Sequence, residues 1–142
     1  MNDKTYRKER ARVLKRLRHW REPMGVGWWK IEFVWFREEK TTDHSSKAEW
    51  LTYFSVVSDW KYRTAVLNCY LGSTLDLSED VLDRSIIHEF CHIIVNPMSR
   101  ERHRDEEELV CESLALAIQS CYAAGVRSGQ KSGRSSQAKS DR

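Results

Sequence analysis

The strongest constraint on this chain is the apolar stretch at residues 86–95, which contains His88, Glu89 and His92. A helix is predicted here, and side chains four residues apart lie on the same helical face, so the two histidines can direct their imidazole nitrogens at one point. Such a pair is half of a tetrahedral zinc site, and Glu89 beside it can act as general base on a metal-bound water. The motif therefore predicts a Zn²⁺ site with His88 and His92 as ligands and Glu89 as the catalytic residue. The alternative is a pair of core histidines that are satisfied by hydrogen bonds alone.

The length and composition of the chain favour one globular domain. Its 142 residues suffice for a single core, and 40% of them are hydrophobic while 32% are charged. No apolar run approaches the length of a membrane span, and residues 1–21 lack the apolar stretch of a signal peptide. We therefore expect a cytoplasmic protein with no membrane partner. Its four cysteines occur singly, which favours reduced thiols over a disulfide framework.

Charge is distributed unevenly along the chain. Residues 1–21 hold nine Lys or Arg against two acids, a net of +7, and residues 122–142 hold five against one, a net of +4. Because the whole chain carries +3, residues 22–121 carry −8. Basic ends of this kind can contact nucleic acid, whereas the simpler interpretation is that they are solvated surfaces.

Periodicity predicts an α+β order of elements. The sequence predicts an N-terminal helix, a three-stranded antiparallel sheet, the helix that carries the two histidines and a C-terminal helix, at residues 4–20, 28–38, 50–57, 61–71, 79–95 and 105–124. Ser78 is the expected N-cap of the histidine helix, and Gly125 is the expected end of the last helix. Residues 98–104 are predicted to be a polar connection, and residues 126–142 a disordered basic tail, which leaves residues 1–125 as the domain.

A catalytic zinc site needs a third protein ligand and an open position for water. The extended motif with a third histidine fails, because Val95 and Met98 stand where its glycine and histidine would be. Helical geometry leaves several glutamates of the C-terminal helix open. Glu107 projects nearest the middle of the apolar stripe predicted for that helix, which consists of Val110, Cys111, Leu114, Ala117, Ile118 and Cys121, and Glu108 and Glu112 flank it.

The motif at 88–92, followed after a short connection by Glu108 and Glu112, resembles the gluzincin arrangement. Over residues 65–118 the chain is most similar to the small zincin-like metallopeptidases of bacteria and phages. The resemblance implies that Glu108 is the third zinc ligand and that Glu112 supports a histidine ligand from behind it. Glu112 departs from the aspartate that is commoner at its position in that class.

These expectations combine into a minimal zincin-like domain that hydrolyses peptide bonds. Glu89 would take a proton from the zinc-bound water and pass it to the leaving amine, and the strand at 61–71 could hold a peptide or protein substrate at the sheet edge. The alternatives are a non-catalytic metal-binding regulatory module and a nucleic-acid-associated module that uses the basic termini. The oligomeric state, the cleavage preference and the biological role do not follow from the sequence.

Overall fold

The architecture is a small sheet with helices packed on one face. The computed structural model describes residues 1–43, 49–96 and 104–137. In chain order the elements are α1 (Asp3–Arg21), β1 (Lys30–Phe36), β2 (Lys40–Asp43), β3 (Glu49–Thr52), β4 (Phe54–Asp59), β5 (Thr64–Tyr70), α2 (Leu71–Thr74), α3 (Glu79–Val95) and α4 (Arg104–Gln137). The α+β class that the sequence predicts is thus confirmed.

The main sheet is mixed, so the prediction of an antiparallel sheet is wrong. Its strand order is β1-β5-β4, with β1 parallel to β5 and β4 antiparallel to β5. A parallel pair needs a long crossover, which the chain supplies with the 27 residues at 37–63. The strand predicted at 50–57 is interrupted at Tyr53, and its first half, β3, pairs with β2 in a separate hairpin. Alternation in the sequence reports which face a residue occupies but not which strand is its neighbour.

One face of this sheet is apolar and covered by helices. Ala65, Leu67 and Cys69 of β5 are buried, and the β1 residues paired with them belong to the same core. On the opposite face Val57 of β4 is 71% exposed and Val66 of β5 is 38% exposed. The sheet and the helices therefore form two layers around a single core.

The histidine helix, α3, has the bounds that its sequence predicts. The Ser78 side chain accepts a hydrogen bond from the backbone N–H of Val81, as expected of the N-cap. Ile86, Ile87, Phe90 and Ile93 are completely buried in the core. This burial fixes the rotation of α3 and with it the direction in which its histidines project.

Helix α1 docks on α3 through a short apolar stripe and buried polar contacts. Its residues Val13 and Leu17 are completely buried. Arg16 forms an ion pair with Asp83 of α3, whose side chain is only 9% exposed. Glu9 is buried too, and it accepts a hydrogen bond of 2.7 Å from the Thr74 hydroxyl. These contacts hold α1 beside the N-terminal half of α3.

Helix α4 differs from its prediction in orientation. The residues that pack on α3 are Cys111, Ala115 and Ile118. The other members of the predicted stripe are exposed: Val110, Leu114, Ala117 and Cys121. Their exposure has a physical cause. The rotation that would bury Val110 and Leu114 would turn the glutamates of the first turns away from the α3 histidines, and the small side chains at 111 and 115 let the two helices approach closely.

Helix α4 also continues past Gly125 to Gln137, so the predicted stop at Gly125 is wrong. A glycine ends a helix by adopting positive φ, and Gly125 does not adopt it. The helix thus extends through 126–137, the segment expected to be a disordered tail. Of the connection predicted at 98–104, Arg104 instead begins α4. Residues 98–103 and 138–142 lie outside the described residues. Across the described ranges, no helix combines the length and the apolar character needed to cross a bilayer.

Candidate metal centre

The two motif histidines converge at the surface of α3 that faces α4. Their Nε2 atoms are 3.0 Å apart, and their rings meet edge to face with centroids 4.7 Å apart. Both side chains are mostly buried, with exposed fractions of 18% for His88 and 15% for His92. The spacing of four residues on one helix therefore has the geometric result that the sequence predicts.

Glu108 of α4 completes a triangle of donor atoms. Its Oε2 lies 3.2 Å from His88 Nε2 and 3.5 Å from His92 Nε2. Donor atoms that share one tetrahedral zinc ion, each 2.0–2.2 Å from it, are about 3.3–3.5 Å from one another. The three observed separations of 3.0–3.5 Å are close to that range, and these residues form a group that can hold a metal ion.

A second carboxylate lies behind each histidine. Glu107 Oε1 is 2.8 Å from His92 Nδ1, and Glu112 Oε2 is 3.4 Å from His88 Nδ1. The Nδ1 atom of His88 is buried and makes no hydrogen bond within the described residues, although the Glu112 carboxylate lies close to it. Carboxylates in these positions fix the tautomer and the orientation of histidines that bind metal through Nε2.

Sequence reasoning missed the roles of Glu107 and Cys111. The sequence leaves Glu107 open as a third ligand, whereas in the structure it contacts the far side of His92. The Sγ atom of Cys111 lies 3.5 Å from His92 Nδ1, so His92, Glu107 and Cys111 form a second group of donor atoms. The signal was present in the sequence, because residues 107 and 111 are four apart and share a helical face.

Glu89 lies beside the donor triangle and against the sheet. Burial raises its pKa from 4.5 to about 7, although both histidines and a hydrogen bond from the Val56 N–H act in the opposite direction. A carboxyl group with a pKa near neutrality can both take up and release a proton at physiological pH. The residue that the motif predicts as general base therefore has the acidity suited to that role.

Hydrogen bonds within the cluster shift the pKa values of His92 and Glu108 in opposite directions. Burial lowers the pKa of His92, but hydrogen bonds with Cys111, Glu108 and Glu107 outweigh it and raise the value to about 11. The hydrogen bonds from His88 and His92 hold the pKa of Glu108 well below its usual range. The carboxylate is therefore ionised at neutral pH, as a metal ligand must be.

The edge strands of the main sheet are β1 and β4, and the prediction of an edge strand at 61–71 is wrong, because β5 lies between them. The Tyr70 N–H donates to the Tyr53 carbonyl, which makes 53 and 70 a hydrogen-bonded pair. In an antiparallel ladder such pairs alternate with non-hydrogen-bonded pairs, so Phe54, Val56 and Ser58 direct their backbone groups away from β5. The hydrogen bond from Val56 to Glu89 agrees with this pattern.

The geometry thus brings His88, Glu89, His92, Glu108 and Glu112 to one place, at the junction of α3, α4 and the β4 edge. Comparison of the chain with models of protein families, with curated proteins and with solved structures gave no match. The similarity to zincin-like metallopeptidases therefore depends on the motif residues, and membership of that class stays a prediction.

Proposed function

We propose that this chain is a zinc-dependent peptidase. The observation that carries the proposal is the triangle of His88 Nε2, His92 Nε2 and Glu108 Oε2, with separations close to those of ligands on one tetrahedral ion. The side chain of Glu108 is 53% exposed, which gives water and substrate access to the cluster. Two nitrogen ligands and one carboxylate are a set found in catalytic zinc sites, which keep a fourth position open.

The chemistry divides between the metal and the protein. A zinc ion held by these three residues would polarise a substrate carbonyl and make water a stronger nucleophile. Glu89 accepts the proton of the attacking water and then donates it to the amine that leaves. Its pKa of about 7 suits both steps. Glu107 orients the His92 imidazole from behind, and Glu112 lies 3.4 Å from His88 Nδ1, where it could support that ring in the same way.

The edge strand β4 offers the substrate a binding mode. The backbone groups of Phe54 and Ser58 point away from β5, on the same side as the Val56 N–H that reaches Glu89. An extended peptide can pair with these groups as an added strand, which would bring its backbone to the general base. Main-chain pairing of this kind selects for extended peptides rather than for particular side chains.

The first experiment measures zinc per chain in protein purified without a metal-chelating tag. About one equivalent is expected in the wild type and none in the His88→Ala/His92→Ala double variant. Glu108→Ala should lower zinc affinity at least tenfold, whereas Glu106→Ala, in the same turn but outside both donor groups, should retain it. Zinc-free wild type that also refuses added zinc would refute the proposal.

The second experiment separates a peptidase from a non-catalytic metal-binding module. Hydrolysis of fluorescently labelled casein is measured for the wild type and for Glu89→Gln, both loaded with zinc. Glu89→Gln should keep its zinc and lose hydrolysis, because the amide cannot accept the proton of water. Zinc retention with equal activity in both proteins would remove Glu89 as the base. Full zinc occupancy without hydrolysis in either protein would favour the regulatory module.

A further inference from the structure

Helix α1 carries a positively charged surface that the metal centre does not use. Five cations occupy its solvent side, and we call them the basic face: Lys4, Arg7, Lys8, Lys15 and Arg18. All five are exposed. At about 100° per residue they lie within roughly 100° of the helix circumference, and the rise of 1.5 Å per residue makes the face about 21 Å long.

The basic face has no acidic partner within the described part of the chain. The two acids of α1 are engaged elsewhere, Asp3 with Arg37 and Glu9 with Arg12. Arg12 and Arg16 of the same helix pair with α3 acids, and Arg21 donates to backbone carbonyls. The helix thus carries two sets of cations: one set pairs with groups of the fold, and the basic face is exposed and pairs with no acid among residues 1–43, 49–96 and 104–137.

The geometry points to the phosphate backbone of double-stranded nucleic acid as the partner of the basic face. A duplex carries one negative charge per about 1.7 Å of its axis, so a straight face of about 21 Å spans about 12 phosphate charges. Because phosphates are the same at every position, such binding would be independent of base sequence.

Two other polyanions fit the surface less well. A helix that binds a membrane inserts apolar side chains, but the apolar residues Val13, Leu17 and Trp20 of α1 are buried in the protein core. Single-stranded nucleic acid is held by stacking of its bases on aromatic rings, and the basic face contains none. The five cations of the basic face are arranged along one regular helix, and this linear array of positive charge matches the phosphate backbone of a duplex.

The test measures binding of a labelled 30-base-pair DNA duplex by fluorescence anisotropy at 50–200 mM salt. Each phosphate contact contributes about 0.9 to the slope of log affinity against log salt, so the five cations of the basic face should give a slope near −4.5 and a loss of about 500-fold over this range. Lys8→Gln/Lys15→Gln should reduce the slope by about two.

The matched control is Lys30→Gln/Lys61→Gln, which changes the net charge equally at two exposed lysines outside α1. It should leave the slope unchanged. An equal loss in this control, or no loss in Lys8→Gln/Lys15→Gln, would overturn the assignment. So would loss of binding in an Arg127→Gln/Lys131→Gln/Arg134→Gln variant with α1 intact, because binding would then belong to the C-terminal segment.

A control with lipid vesicles tests whether the basic face binds an anionic membrane instead of a duplex. Vesicles with 30% phosphatidylserine should not bind the protein at 150 mM salt, whereas binding to vesicles without binding to the duplex would refute the inference. Glu89→Gln should bind the duplex as the wild type does, because the basic face is independent of the metal centre.

Discussion

Replacement of Glu89 by glutamine should stabilise the metal-free protein at neutral and alkaline pH while it abolishes the proposed activity. Burial raises the folded-state pKa of this carboxyl to about 7, against 4.5 for a solvated glutamate. Between these two values the folded state holds a proton that the unfolded state has lost. The free energy of unfolding therefore falls as the pH rises through this window.

The size of the effect follows from the width of the window. At 1.36 kcal/mol per pKa unit, a shift from 4.5 to about 7 costs the folded protein about 3 kcal/mol once the carboxyl is fully ionised. Glutamine cannot ionise, and its carbonyl oxygen can still accept the hydrogen bond from Val56. Glu89→Gln should thus exceed the wild type by about 3 kcal/mol at pH 8 and match it near pH 4.5.

The assay is urea unfolding with a chelator present, at pH 4.5, 6, 7 and 8. Contributions from the other groups of the cluster are present in both proteins, so the difference between them reports Glu89. Asp76→Asn removes an exposed acid between α2 and α3 and should follow the wild-type pH dependence. A difference between Glu89→Gln and the wild type that does not grow with pH would refute the reasoning.

Three further predictions concern the helix junctions. Asp83→Ala leaves the partly buried Arg16 of α1 with only its more distant acidic neighbour, Glu79, and should lower the free energy of unfolding in urea by about 2 kcal/mol. Asp3→Ala, in an exposed pair, should cost under about 1 kcal/mol in the same assay. Ala115→Leu should overpack the α3–α4 contact, which should lower the free energy of unfolding by about 1–3 kcal/mol and weaken zinc binding in calorimetric titration. Ala117→Leu, on the exposed side of α4, should change neither quantity. Zinc binding at pH 7 should release about one proton, because His92, with a pKa of about 11, is protonated before the metal binds. The measured heat of binding should therefore vary with the ionisation enthalpy of the buffer.

Local features of the fold could be predicted from the sequence with good accuracy. The bounds of α3 and its N-cap at Ser78 follow from a cap residue, first-turn acids and a dense apolar run, all within one segment. The convergence of His88 and His92 likewise depends only on helical spacing. All the residues that determine these features lie within α3 and its N-cap, so no other segment is needed to predict them.

Features that depend on other segments could not be predicted. The parallel pairing of β1 with β5 is decided by the crossover between them, and alternation of side chains carries no information about strand direction. The exposed Val110 and Leu114 show that the apolar residues of α4 did not determine its buried face. Polar contacts of Glu107 and Glu108 with the histidines compete with them, and no pattern within α4 reveals those partners.

The triangle of donor atoms draws on two helices, with both histidines on α3 and Glu108 on α4, and this bears on the stability of the fold. Glu108 is 20 residues from His88 and 16 from His92, so an ion bound to all three would close a loop in the chain as a cross-link does. A disulfide that closes a loop of about 15 residues is worth about 3 kcal/mol, largely by restricting the unfolded chain. The four cysteines are free thiols and form no cross-link. A bound metal ion would therefore cross-link α3 and α4 in addition to its proposed catalytic role.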